Sequence, residues 1–166
     1  MSLWLFDYDR VDRGNMDLRK GIRDIAERFD CELIYFFGSQ AEKGRRYLEG
    51  EYVKADIFSD LDIAVAFRER PTEAYQIYGK IYKEMSELLE PFNVDLVFMH
   101  ELETLFQWEI IRGLRVYEKN DRLTEEFEEE VLKRAEDIMF KKRILEREIM
   151  EAIEDGYIEF EYSPNP

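Results

Sequence analysis

Three carboxylates and a small-residue turn carry what chemistry this chain declares. Asp60 and Asp62 stand two apart in Ser59-Asp60-Leu61-Asp62, which runs directly into the apolar Ile63-Ala64-Val65. Side chains alternate along a strand, so the two carboxylates point to the same side. Twenty residues before Ser59, the apolar run Ile34-Tyr35-Phe36-Phe37 ends in Gly38-Ser39. A glycine there lets the backbone approach a phosphate, and Ser39 adds a hydroxyl and an amide at a helix start, where anions are favoured. The third carboxylate, Asp95, lies inside Val94-Asp95-Leu96-Val97-Phe98. A charge buried among apolar residues is very costly unless a cation neutralises it, so Asp95 is expected to be a buried carboxylate in need of one. Three strand carboxylates can bridge two divalent ions about 4 Å apart, an arrangement suited to in-line displacement at phosphorus. The ions would neutralise a triphosphate and its leaving pyrophosphate, while an aspartate helps activate the incoming hydroxyl. The pattern is that of a site for a metal–nucleotide complex.

The elements that must position these groups can be read from spacing. Asp17 is expected to cap a helix whose apolar face is Leu18, Ile22, Ile25 and Ala26. A strand follows from about 32 to 37, then a short helix after Ser39 and a loop or small hairpin. The second strand covers 61–67. Pro71 and Thr72 open a helix with Ile77, Ile81, Met85 and Leu88 on its buried stripe, and Pro91 stops it. A third strand covers 94–99, a short helix about 102–112 ends at Gly113, and a fourth strand covers 115–117. A helix from 124 to about 153 is longer than a small core needs, so part of its apolar stripe is expected to pack on a partner. Residues 157–162 alternate apolar and acidic side chains, as an edge strand or a disordered tail would. The class is α+β (mixed α/β), a small sheet flanked by helices with a long C-terminal helix. The division is an N-terminal arm over 1–16, a domain over 17–120 with an insertion at about 45–56, and a helical extension and tail over 121–166.

Bulk composition narrows the partners. The 166 residues are 45% hydrophobic and carry a formal charge of −15, enough for a folded core and too acidic for a strong affinity for long nucleic acid. A nucleotide escapes that objection because Mg²⁺ brings neutralising charge with it. The single cysteine, Cys31, forms no internal disulfide and suits a cytoplasmic setting as a small buried hydrophobe. No stretch reaches the roughly 18 apolar residues of a membrane span.

Phe-Gly-Ser-Gln-Ala at 37–41, Ser-Asp-Leu-Asp-Ile-Ala-Val at 59–65 and Val-Asp-Leu-Val at 94–97 together resemble the minimal nucleotidyltransferases of the DNA polymerase β superfamily. The resemblance extends over about 17–118, with Gly113 to Glu118 similar to the family's closing strand. It implies the polymerase-β-like nucleotidyltransferase fold and a two-metal site in which Asp60 and Asp62 hold both Mg²⁺ ions and Asp95 completes the catalytic one. It makes Gly38, Ser39 and Ser59 the nucleotide-binding residues. The implied reaction is transfer of a nucleoside monophosphate, AMP from ATP, to an acceptor hydroxyl. Short members of the family act as antitoxins beside HEPN-type toxins, modifying a toxin tyrosine, and the charged C-terminal helix is similar in character. Transfer to a small molecule such as an aminoglycoside, or a non-catalytic antitoxin that neutralises by contact, are the alternatives. The C-terminal helix is also a candidate homo-oligomer surface.

Two departures from the family mark this chain. The gap from Gly-Ser to the aspartate pair is longer than usual, and the extra stretch holds Arg45, Arg46, Tyr47, Tyr52 and Lys54. Such an insertion costs little in stability. Gln40 stands where the family often has arginine, with Lys43, Arg45 and Arg46 as candidates for the missing charge. The remaining notable residues have plain readings: His100 as a loop residue, and Trp4 and Trp108 as core or interface aromatics.

Overall fold

The computed structural model describes residues 8–56 and 58–157, with side chains from residue 18 onward. Trp4, the first seven residues of the expected arm and the expected tail element beyond Tyr157 lie outside the described residues. Helix α1 (Tyr8–Arg28) is followed by strand β1 (Cys31–Phe37), helix α2 (Ala41–Leu48), strand β2 (Leu61–Phe67) and helix α3 (Ala74–Leu88). Strand β3 (Val94–Phe98), a 3₁₀ turn at Met99–Glu101, helix α4 (Thr104–Ile111), strand β4 (Leu114–Glu118) and helix α5 (Asp121–Glu154) complete the order. Asp17 does not cap α1, because the helix already runs from Tyr8. The expected insertion at about 45–56 begins within α2, and since no strand lies between α2 and β2 among the described residues, its remainder is a loop and not a hairpin.

The four strands lie in the order β3-β2-β1-β4. β1 pairs antiparallel with β2 and with β4, while β2 and β3 run parallel. A parallel pair needs a crossover, and α3 supplies it. Alternation sorts the side chains onto two faces. Ile34, Phe36, Ile63, Val65, Leu96 and Phe98 join Ile22, Ile25, Ile81 and Met85 of α1 and α3 in the larger core. Leu33, Tyr35, Ala64 and Ala66 face the other way, toward Met99, Ile110 and Phe127. Cys31 is buried in the larger core, as a small hydrophobe.

Helix α5 starts on a side-chain cap, Asn120 Oδ1 accepting from Leu123 N–H at 3.1 Å. Its proximal part packs chiefly on α4 and buries Thr124, Val131 and Ala135. Glu128 adds a polar anchor: the buried Tyr35 hydroxyl donates to it at 2.6 Å and Arg115 at 3.2 Å. Burial and the neighbouring Glu128 push the Tyr35 hydroxyl well above its usual range. Beyond Ala135 the helix leaves the core, and Ile138, Phe140, Leu145, Ile149 and Met150 are exposed. At 34 residues the helix is about 50 Å long, more than the sheet it crosses. No helix among the described residues is long and apolar enough to cross a membrane.

Candidate active site

The chemistry gathers where β1 ends and β2 begins. Alternation puts Asp60, Asp62, Ala64 and Ala66 on one side of the chain, and the burial of Ala64 and Ala66 identifies it as the α4–α5 side. The parallel register sets Asp62 directly beside Asp95 of β3. The three sequence-predicted carboxylates therefore share one face of two adjacent strands. Asp95 is exposed, not buried as the sequence suggests. β3 is an edge strand, and Asp95 is exposed while its neighbours Val94 and Leu96 are buried on the opposite side.

The carboxylates feel one another. Asp62 has its proton affinity raised, first by burial and then by the charges of Asp95 and Asp60. Among the described residues none of the three accepts a hydrogen bond or pairs with a cation. Their oxygen-only donor set suits a hard divalent ion such as Mg²⁺. The fit is one of donor type and shared face: among the described residues, no three acidic, histidine or cysteine side chains close into a ready-made ligand cluster.

The Gly38-Ser39 turn presses on this group. Gly38 has φ +70°, and a Cβ there would lie 2.1 Å from Asp62 Oδ2, so only glycine fits. Ser39 and Ser59 share a hydroxyl–hydroxyl hydrogen bond of 2.9 Å. That bond joins the residue after Gly38 to the residue before Asp60 and closes the intervening excursion at its neck. The turn and the aspartate pair, distant in sequence, become one surface.

Other residues take roles the sequence conceals. Gln40 is 4% exposed and its Oε1 has no partner, directly behind Gly38-Ser39 at the start of α2. Of the cations considered for the family's arginine, Arg45 is bound by Glu42 and Glu49 and Arg46 by Glu51. Lys43 has no such partner among the described residues. Tyr78 of α3 has its hydroxyl pushed up by burial and then by Asp95. His100 lies in the 3₁₀ turn after β3, with its Nε2 2.6 Å from the Phe67 carbonyl and 3.1 Å from the Phe67 amide, which ties the turn to β2. Trp108 is half-buried on α4 under the Arg112 guanidinium, 4.5 Å from its ring centre.

A four-stranded mixed sheet with a Gly-Ser turn set against the aspartates of its parallel β2–β3 pair defines a nucleotidyltransferase. The sequence matches the family described as Polymerase beta, Nucleotidyltransferase over residues 20–122, and the chain belongs to it. Among curated proteins none matches the sequence. Several solved structures share the fold. One is a mutant toxin–antitoxin complex described as MntA-HpeT, with a TM-score of 0.57 and 16% identity over 80% of this chain and 98% of that one. Another is the tri-AMPylated Shewanella oneidensis HEPN toxin in complex with MNT antitoxin, with a TM-score of 0.56 and 16% identity over 82% of this chain and 98% of that one. A third is a toxin–antitoxin with AMP-PNP, with a TM-score of 0.56 and 16% identity over 80% of this chain and 98% of that one. At such identity the likeness is one of fold.

Proposed function

We propose that this chain is a Mg²⁺-dependent adenylyltransferase that moves AMP from ATP to the hydroxyl of a tyrosine on a HEPN-type toxin, and so serves as its antitoxin. The observation that carries the reading is the shared face of Asp60, Asp62 and Asp95 beside Gly38-Ser39. Three unpaired carboxylates are a destabilising arrangement unless a cation is meant to join them. Asp60 and Asp62 are the residues to hold two Mg²⁺ ions, with Asp95 completing one site. Bound there, the ions supply charge neutralisation for the triphosphate and for the pyrophosphate that leaves.

The chain's own groups do the rest. Gly38 gives the backbone access to the phosphates, and Ser39 and Ser59 offer hydroxyls on either side of the approach. An aspartate carboxylate takes the proton of the acceptor hydroxyl as its oxygen attacks the α-phosphorus. Support for the acceptor comes from the fold neighbours, which are toxin–antitoxin complexes, one holding an AMPylated HEPN toxin. The exposed apolar residues on distal α5 offer that partner a surface. The catalytic domain then spans 17–120, with the insertion at 45–56 and the partner-facing extension from 121, in a cytoplasmic setting.

Incubation with labelled ATP, Mg²⁺ and the product of the neighbouring gene tests the reading. Label on a toxin tyrosine is expected, falling a hundredfold or more in Asp60→Asn and Asp62→Asn, because several kcal/mol of transition-state stabilisation is lost, on the order of tenfold per 1.4 kcal/mol. Label on a small aminoglycoside would replace the acceptor. Neutralisation of the toxin with no label at all would leave an antitoxin acting by contact alone.

A further inference from the structure

The insertion carries a cavity of its own. Between α2 and the loop that follows it lies a space of about 570 Å³ whose lining includes Lys43, Arg46, Tyr52, Lys54, Asp56 and Phe58, with Val53 and Ala55. Three of the eight lining residues are cations in a chain whose net charge is −15. Arg46 is held by Glu51 at 2.6 Å, which ties the loop to α2. Lys43 and Lys54 have no carboxylate partner among the described residues. The one carboxylate, Asp56, accepts from Phe58 N–H at 3.0 Å in an Asx turn. Tyr52 and Phe58 are 94% and 92% exposed. Fully exposed aromatic rings contribute nothing to the core, and two of them lining the same cavity as free lysines is the composition used to stack a base and hold a phosphate.

The cavity is joined to the active site by the chain itself. Phe58 precedes Ser59 and Asp60, and Lys43 follows Ser39 by four residues. The Ser39–Ser59 hydrogen bond closes that segment at the site. We infer that the insertion is the base-binding end of the donor site, with Tyr52 and Phe58 stacking the nucleobase of the triphosphate donor and Lys43 and Lys54 taking its phosphate charge. The inference rests on the proposed nucleotidyl transfer and adds a platform that the shorter gap of the family's usual pattern would leave no chain to build.

Titration calorimetry with Mg²⁺ and AMP-PNP or inorganic tripolyphosphate tests it. Tyr52→Ala and Phe58→Ala are expected to weaken AMP-PNP binding about tenfold each and to leave tripolyphosphate binding unchanged, because only the base is lost. Lys43→Ala and Lys54→Ala should weaken both ligands. All four side chains are free of the core, so thermal melting should stay as in the parent chain. AMP-PNP binding that is unchanged in all four variants, yet abolished in Asp62→Asn, would overturn the base platform while leaving the donor site intact. A parent chain that binds neither ligand would remove the underlying reading and the platform with it.

Discussion

Asp62 and Asp95 stand side by side across the parallel β2–β3 pair, and neither has a hydrogen-bond or cationic partner among the described residues. The consequence for stability has a definite sign. Asp62 has its folded-state pKa raised above the ordinary 3.8, by burial and then by Asp95 and Asp60. The folded chain thus binds a proton more tightly than the unfolded chain. No penalty operates below the unfolded value. It grows as pH rises through the window between the ordinary value and the raised one, and stays in full above it. The metal-free protein is therefore expected to lose stability through this window. Asp62→Asn should flatten that slope and melt higher than the parent at neutral pH while losing transfer activity. Added Mg²⁺ should raise the melting temperature of the parent and much less that of the variant. Melting curves between pH 3 and pH 8, with and without Mg²⁺, check all of these together.

Gly38→Ala separates shape from charge at the same place. The added methyl would sit 2.1 Å from Asp62 Oδ2 in a backbone with φ +70°. An L side chain pays about 1 kcal/mol or more for that conformation, and Asp62 must also move. The expected result is a melting temperature lower by a few degrees and a fall in kcat of about a hundredfold, since displacement of a reacting group by an ångström is enough for that. Steady-state kinetics decide: a change in KM alone would mean that the turn touches only the nucleotide.

Much of this arrangement is legible in the amino-acid sequence, and the places where it is not have physical causes. The strand around Ile63 is readable to its ends because its apolar run is bounded by Asp60-Leu61-Asp62 and the charged Arg68-Glu69-Arg70. The pairing of Asp62 with Asp95 is not, since register across a parallel pair is decided by the crossover helix and not by either strand. Asp95 misleads for a related reason. Its neighbours in sequence, Val94 and Leu96, are buried, but on the far face, and an edge strand leaves the near face open. Gln40 and His100 give no signal because their roles come from a helix start and a turn packed on distant backbone. The opening of α1 at Tyr8 escapes notice because its start carries no capping pattern that stands out from Asp17.

The Tyr35–Glu128 hydrogen bond holds α5 to the sheet, and its removal should be asymmetric. Tyr35→Phe leaves Glu128 paired with Arg115 at 3.2 Å, so the loss is about 1–2 kcal/mol. Glu128→Ala strands the Tyr35 hydroxyl in the core and leaves Arg115 with Glu118 alone, at 3.4 Å, and should cost more. Chemical denaturation of both single variants and the double variant gives the coupling directly. An additive double variant would show that the 2.6 Å contact does not fasten the helix.

The distal half of α5 provides the last test, because it divides the two jobs assigned to this chain. Val131 and Ala135 are buried, whereas Ile138, Leu145 and Ile149 continue the same helical stripe without cover. Truncation after Asp137 removes exposed apolar surface and leaves the buried contacts of Thr124, Val131 and Ala135 in place. The shortened chain is expected to melt within a few degrees of the parent and to bind AMP-PNP equally well, since Asp60, Asp62, Asp95 and the Gly38-Ser39 turn are untouched. Transfer to the toxin should fall by about a hundredfold at low toxin concentration and recover as toxin is raised, because docking and not chemistry has been weakened. Varying the toxin concentration in the labelling assay distinguishes the cases. Full transfer by the truncated chain at all concentrations would move the partner surface off α5, and a loss that no concentration restores would place distal α5 in the chemistry itself.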